Sequence, residues 1–125
     1  MLIQAIQGAD AGLTFNLLQD PNRQFVASSF LKLETLPQPT FHKRSAELEF
    51  LEAFFAQVIE WAESSENLLK KSLKESCEVP LSAIDGIHIA AAKALKADEF
   101  ITAERPGKPL HKVKGLKVIY LPNAR

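Results

Sequence analysis

The stretch from Leu81 to Glu104, LSAIDGIHIAAAKALKADEFITAE, decides the fold class of this chain. The part from Ser82 to Ala97 combines apolar periodicity with many alanines, which predicts a helix. Phe100–Thr102 (FIT) follows after a short polar break and is typical of a buried strand. A helix that leads directly into a short strand is the building unit of α/β proteins.

The same alternation of helices and short strands extends outward in both directions. Helices are predicted over Ala11–Asp20 and Phe30–Leu36, in a long amphipathic segment capped by Ser45, and over Ser65–Cys77. Gln24–Ala27 and Leu116–Leu121 are predicted strands, and Val58–Glu63 fits either a strand or the end of the preceding helix. Pro37 and Pro39 are expected to stop the helix before them. The pattern predicts a parallel sheet flanked by helices, with sites beyond the carboxyl ends of its strands.

Length and composition limit the class of protein. With 125 residues, 46% hydrophobic and 24% charged, the chain is expected to form one globular domain over residues 1–125. No apolar run approaches a membrane span, and the N-terminus lacks a basic signal region. The single cysteine, Cys77, cannot form an internal disulfide. A reducing, cytoplasmic setting without membrane contact is therefore expected.

Charge is zero overall but unevenly distributed. The stretch from Ser45 to Glu66 contains several glutamates and no lysine or arginine. The stretch after Glu104 contains several lysines and arginines and no acidic residue. The basic segment from Lys108 to Lys117 could hold backbone phosphates. An ordinary solvated surface explains the same split equally well.

Carboxylates stand at Glu34, Asp85 and Glu104, each close after a predicted strand or at the start of a helix. Parallel strands deliver their carboxyl ends to one edge of the sheet, where clustered carboxylates persist only with a proton or a cation. Oxygen ligands suit Mg²⁺ or Mn²⁺, which can activate water for attack on a phosphodiester.

Each acid also has a structural explanation. Ser82 and Asp85 have the spacing of a capping box, Glu34 can decorate an exposed helix face, and Glu104 can begin a loop. His88 falls three residues after Asp85 and could contact a ligand, although a place in the core or on the helix face is the more usual role. The glycines form neither a P-loop nor a dinucleotide fingerprint.

The run LSAIDGIHIAAAKALKADEFITAERP resembles the third-acid helix and fourth strand of PIN domains. The match includes a Ser-x-x-Asp helix, a histidine three residues later, an alanine-rich body, and a strand that ends in threonine followed by an acid. GLKVIYL resembles the family's final strand, and FVASSFLKLETLP its second strand with the helix that carries the second acid, Glu34. The resemblance covers residues 24 to 125 and is strongest from 81 to 121.

The resemblance implies a PIN-like three-layer α/β fold and Mg²⁺- or Mn²⁺-dependent cleavage of RNA. Glu34, Asp85 and Glu104 would hold the metal, and Thr102 would orient water or a carboxylate. Many small members are toxins of toxin–antitoxin pairs, which implies an antitoxin partner and a homodimer. The alternative is a catalytically inactive module of the same fold that serves in binding or dimerisation.

The N-terminus departs from the family's pattern, in which a hydrophobic strand ends in an aspartate. The segment Met1–Ile6 resembles the middle of the family's first helix, so the first central strand is expected to be missing or replaced. Asp10 lies too far along to serve as the first acid. Losing such a strand removes on the order of 10 kcal/mol of burial, which predicts a marginal or repacked domain. We expect a natural start upstream of Met1, and the alternative is a shortened, weakly catalytic member.

Overall fold

A computed structural model describes residues 2–7 and 16–124 of the chain. Its centre is a five-stranded, parallel sheet with the order β3-β2-β1-β4-β5. The strands are Leu2–Gln7 (β1), Arg23–Ser28 (β2), Val58–Ala62 (β3), Glu99–Thr102 (β4) and Lys117–Tyr120 (β5). The helices with described bounds are Phe30–Thr35 (α1), Pro37–Phe41 (α2), Ser45–Ala56 (α3), Glu66–Glu78 (α4) and Ala83–Ala94 (α5). Short 3₁₀ turns span Pro109–Lys112 and Leu121–Asn123.

The sheet is buried on both faces, as parallel sheets usually are. Successive residues of a strand point to opposite faces, so each central strand contributes to both cores. One core joins Ile6, Phe25 and Ile101 to side chains from α1 and α3, among them Leu31 and Phe54. The other core joins Ala5, Val26 and Phe100 to α5 and to the turn around Leu110, through Ile89, Ala92, Leu110 and Val113. The result is the three-layer α/β arrangement that the sequence predicts.

The N-terminal segment corrects one sequence prediction. Leu2–Gln7 is not part of a helix but the central strand β1, which pairs with β2 on one side and β4 on the other. Ala5 and Ile6 are buried on opposite faces of the sheet. The central position is therefore filled by this segment, and its last residue is Gln7 instead of an aspartate. Tertiary pairing on two sides explains why a short apolar run adopts the strand conformation here.

Several local predictions are confirmed and others change. Ser82 caps α5 as its spacing to Asp85 predicts, accepting a hydrogen bond from the backbone N–H of Asp85. The structure adds a second cap, in which Ser65 accepts from the backbone N–H of Leu68 at the start of α4. Ser45 is wrong as a cap, because the residue at that position is Arg44 and its side chain makes no capping bond. Pro37 does end α1 but also begins α2, since a proline at the first position of a helix costs no hydrogen bond.

Two ambiguous segments are also settled in part. Val58–Ala62 is the edge strand β3 and not an extension of α3. Of the predicted helix Ala11–Asp20, residues 16–18 are helical, and residues 11–15 lie outside the described residues. Within residues 2–7 and 16–124, no helix has the length and apolar character needed to cross a membrane.

Candidate functional site

The carboxyl ends of β1, β2 and β4 meet at one edge of the sheet because the strands are parallel and adjacent. Gln7 is the last residue of β1 and lies opposite Thr102, the last residue of β4. Glu34 lies on α1, directly after β2, and Asp85 lies in the first turn of α5. The sequence-predicted acids are thus brought to a common edge.

Gln7 is the centre of a hydrogen-bond network at this edge. It is buried, with 9% of its surface exposed. Its amide Nε2 donates to Asp85 Oδ1 at 2.5 Å, and its Oε1 accepts from the Thr102 hydroxyl at 3.3 Å. Thr102 Oγ1 in turn accepts from the backbone N–H of Glu104 at 3.0 Å. An amide suits this place because it offers both a donor and an acceptor.

Asp85 combines its capping role with a place in the site. Its backbone N–H donates to Ser82 Oγ at 3.1 Å, which confirms the cap predicted from spacing. The cap uses the backbone N–H of Asp85 and leaves its carboxylate available, and Oδ1 accepts a hydrogen bond from the Gln7 amide. The structural and functional explanations of this residue are therefore compatible.

Glu34 has an internal partner as well. Its Oε1 contacts the ring Nε2 of His88, which projects from α5 and is 2% exposed. About one third of the Glu34 side chain is exposed to solvent. His88 is a buried residue, as its usual role suggests, but it is also the group that positions one of the predicted acids.

An open cavity of about 510 Å³ lies over this edge. Acidic, amide, hydroxyl and basic side chains line it together, namely Gln7, Glu34, Thr35, Thr102, Ala103, Glu104, Arg105 and Lys108. The loop that carries Glu104 is held by His111, whose Nε2 donates to the Glu104 carbonyl oxygen at 2.7 Å. Asp85 reaches the cavity only through its hydrogen bond to Gln7.

The predicted basic segment divides between the two edges of the sheet. Lys108 and the preceding Arg105 line the cavity and are exposed. Lys117 begins β5 and pairs with Glu99 at 3.3 Å, at the amino-terminal edge of the strands. Of the segment predicted to bind phosphates, Lys108 lies at the cavity and Lys117 lies at the opposite edge of the sheet.

The three predicted metal ligands, Glu34, Asp85 and Glu104, do not form one cluster of carboxylates. Among the described residues, no three His, Cys, Asp or Glu side chains are grouped so that they could hold a metal ion. Asp85 is bound by the Gln7 amide and Glu34 by the His88 ring. The Thr102 hydroxyl, predicted to orient water or a carboxylate, is engaged with Gln7 and with the Glu104 backbone instead.

Sequence reasoning missed Gln7 and Arg105 as residues of this site. The available signal was the polar residue that ends the apolar run LIQAIQ. A polar residue at the end of a strand indicates a possible site residue, but the resemblance of this run to a helix concealed that Gln7 ends a strand. Asp10 lies outside the described residues.

Comparisons with known proteins support the fold and leave the chemistry open. A chain of the Rickettsia felis VapBC2 complex, solved bound to a DNA fragment from its promoter, has a TM-score of 0.66 and 13% identity over 94% of this chain and 98% of that one. A chain of a Klebsiella pneumoniae toxin–antitoxin complex has a TM-score of 0.61 and 15% identity over 97% and 98%. No family model and no curated protein matches the sequence. The chain therefore has the PIN-like α/β fold that the sequence resemblance predicts, and it shares this fold with these two chains over nearly their full length.

Proposed function

We propose that this chain is the PIN-fold component of a toxin–antitoxin type pair and acts by binding, without metal-dependent cleavage of RNA. The observation that carries the proposal is the hydrogen bond from the Gln7 amide to Asp85 at the end of the central strand. Gln7 is a neutral hydrogen-bond donor at the position where the family's pattern has an acid. Because an amide does not repel the Asp85 carboxylate, this edge of the sheet is stable without a cation.

The partner class is inferred from the neighbours. The two solved structures compared above are toxin–antitoxin complexes, and their chains match nearly the full length of this chain. An antitoxin-like protein is thus the expected partner, and a homodimer is expected as well. RNA is the expected polyanion for Arg105 and Lys108 at the cavity rim, because exposed cations there can contact phosphates beside the network. A cytoplasmic location remains a prediction.

The test of the proposal is a cleavage assay on RNA with the purified protein. Wild type and Asp85→Asn are incubated with labelled RNA in Mg²⁺ or in EDTA, and Asp98→Asn serves as a matched control. Asp98 accepts a hydrogen bond from the backbone N–H of Ile3, near the start of β1 and remote from the cavity. We expect no Mg²⁺-dependent cleavage by wild type above either variant, together with retention of RNA in a filter-binding assay.

The second candidate is a metal-dependent endoribonuclease, the activity that the sequence resemblance implies. One observation favours it: Glu34 and Glu104 line the same cavity as Arg105 and Lys108, with Asp85 one hydrogen bond away. Cleavage that requires Mg²⁺, persists in Asp98→Asn and is lost in Asp85→Asn would establish this candidate and refute the leading proposal.

A further inference from the structure

The side chain of Gln7 lies at the edge of the sheet to which the acids of the site are brought. It projects from the end of the central strand and bridges Asp85 to Thr102 with its two amide atoms. It also lines the open cavity together with Glu34 and Glu104. We infer that Gln7 is the residue that keeps this edge free of a divalent cation, and that one charge at position 7 is enough to create a cation site. This inference rests on the proposed function.

The reason is the charge balance of the network. The Gln7 amide is neutral and donates to Asp85, so the pair carries one negative charge in a partly buried place. Gln7→Glu keeps the length of the side chain but replaces the donor with a second carboxylate. Two carboxylates in contact are stable only when one is protonated or a cation lies between them.

The surroundings of Gln7 suit the cation better than the proton. Mg²⁺ and Mn²⁺ sites in proteins are typically built from one or two carboxylates, with water completing the shell. The cavity provides room for that water, and Glu34 and Glu104 lie on its wall. The substituted carboxylate and Asp85 would therefore supply the direct ligands that the native pair cannot.

The same strand offers a matched control. Gln4 is also buried, at 1% exposure, and its Nε2 also donates to a carboxylate, Glu99 Oε1, at 2.8 Å. Its Oε1 accepts from Arg23 Nη1 at 3.1 Å. Gln4→Glu therefore introduces the same charge into the same strand, but next to a guanidinium that compensates for it without a metal.

The experiment measures thermal unfolding of wild type, Gln7→Glu and Gln4→Glu in EDTA, in Mg²⁺ and in Mn²⁺. We expect wild type to be insensitive to the ion. Gln7→Glu is expected to unfold at a lower temperature in EDTA and to recover by several degrees in Mn²⁺. Calorimetric titration of Gln7→Glu is expected to give a Mn²⁺ affinity at least about tenfold higher than that of wild type. Substitution of a single group near a bound metal changes metal affinity by this amount. Gln4→Glu is expected to show no recovery.

The swapped double variant Gln7→Glu/Asp85→Asn protects the test against a simple folding failure. It restores one amide and one carboxylate, so it is expected to fold in EDTA and to ignore Mn²⁺. The inference is overturned if Gln7→Glu binds Mn²⁺ no better than wild type, or if it stays unfolded in Mn²⁺ while the swapped variant folds. Metal binding and RNA cleavage by wild type itself would instead refute the proposed function.

Discussion

His88 and Glu34 form a pair in which a buried imidazole contacts the carboxylate of a partly exposed side chain. The ring projects from α5 between the helix layer and the sheet edge and is 2% exposed, whereas about one third of the Glu34 side chain is exposed. Such a pair fixes α1 against α5, because a buried polar ring needs its hydrogen bond. It also fixes the position of Glu34 on the wall of the cavity. His88 thus both connects α5 to α1 and positions Glu34 at the site.

Substitution of His88 tests the contribution of this pair to stability. His88→Ala is expected to lower the free energy of unfolding by about 1–3 kcal/mol, since it removes a buried hydrogen-bonded group. His88→Gln retains a donor and is expected to lose less. Urea unfolding measures both. Equal losses for the two variants would show that the ring acts through packing alone.

The sequence predicts the positions of the acidic residues at the site but not their hydrogen-bond partners. Glu34, Asp85, Thr102 and Glu104 could be placed at one edge because each follows a recognisable strand or cap. Their partners could not be predicted, since the contact of Asp85 with Gln7 spans 78 residues of chain. A hydrogen bond between such distant residues depends on strand order and register, which local periodicity does not reveal.

Among the secondary-structure elements, β1 was the hardest to assign and has the largest effect on the fold. Its sequence, LIQAIQ, is too short for periodicity to separate strand from helix. The decisive interactions are tertiary: β2 and β4 pair with it on either side, and its side chains enter both cores. In contrast, α5 was predicted closely because it is long, periodic and capped by Ser82.

The position of β1 is tested by a matched pair of isoleucines. Ile6 lies in β1 and is 1% exposed, whereas Ile59 lies in the edge strand β3 and is 56% exposed. Ile6→Ala is expected to destabilise the fold by about 2–5 kcal/mol because it opens a cavity beneath the sheet. Ile59→Ala is expected to change stability by no more than about 0.5 kcal/mol. Similar values for the two variants, measured by chemical denaturation, would contradict the central placement of β1.

The described part of the molecule has the PIN-like architecture, while its central strand ends in Gln7 where the family's pattern has an aspartate. A parallel sheet buried on both faces requires apolar strands and alternating helices, which many sequences can provide. This explains why chains with 13% and 15% identity share the fold over nearly their full length. The reactivity of the edge depends on single side chains, so it changes without any change in architecture.

A crystal structure of the wild-type protein grown or soaked with Mn²⁺ tests the arrangement of the edge most directly, because anomalous scattering locates the ion independently of the protein model. The expected result is a map with the Gln7 amide between Asp85 and Thr102 and no anomalous peak at the cavity. A Mn²⁺ peak bonded to Asp85 together with Glu34 or Glu104 would contradict the proposal that this edge works without a metal ion.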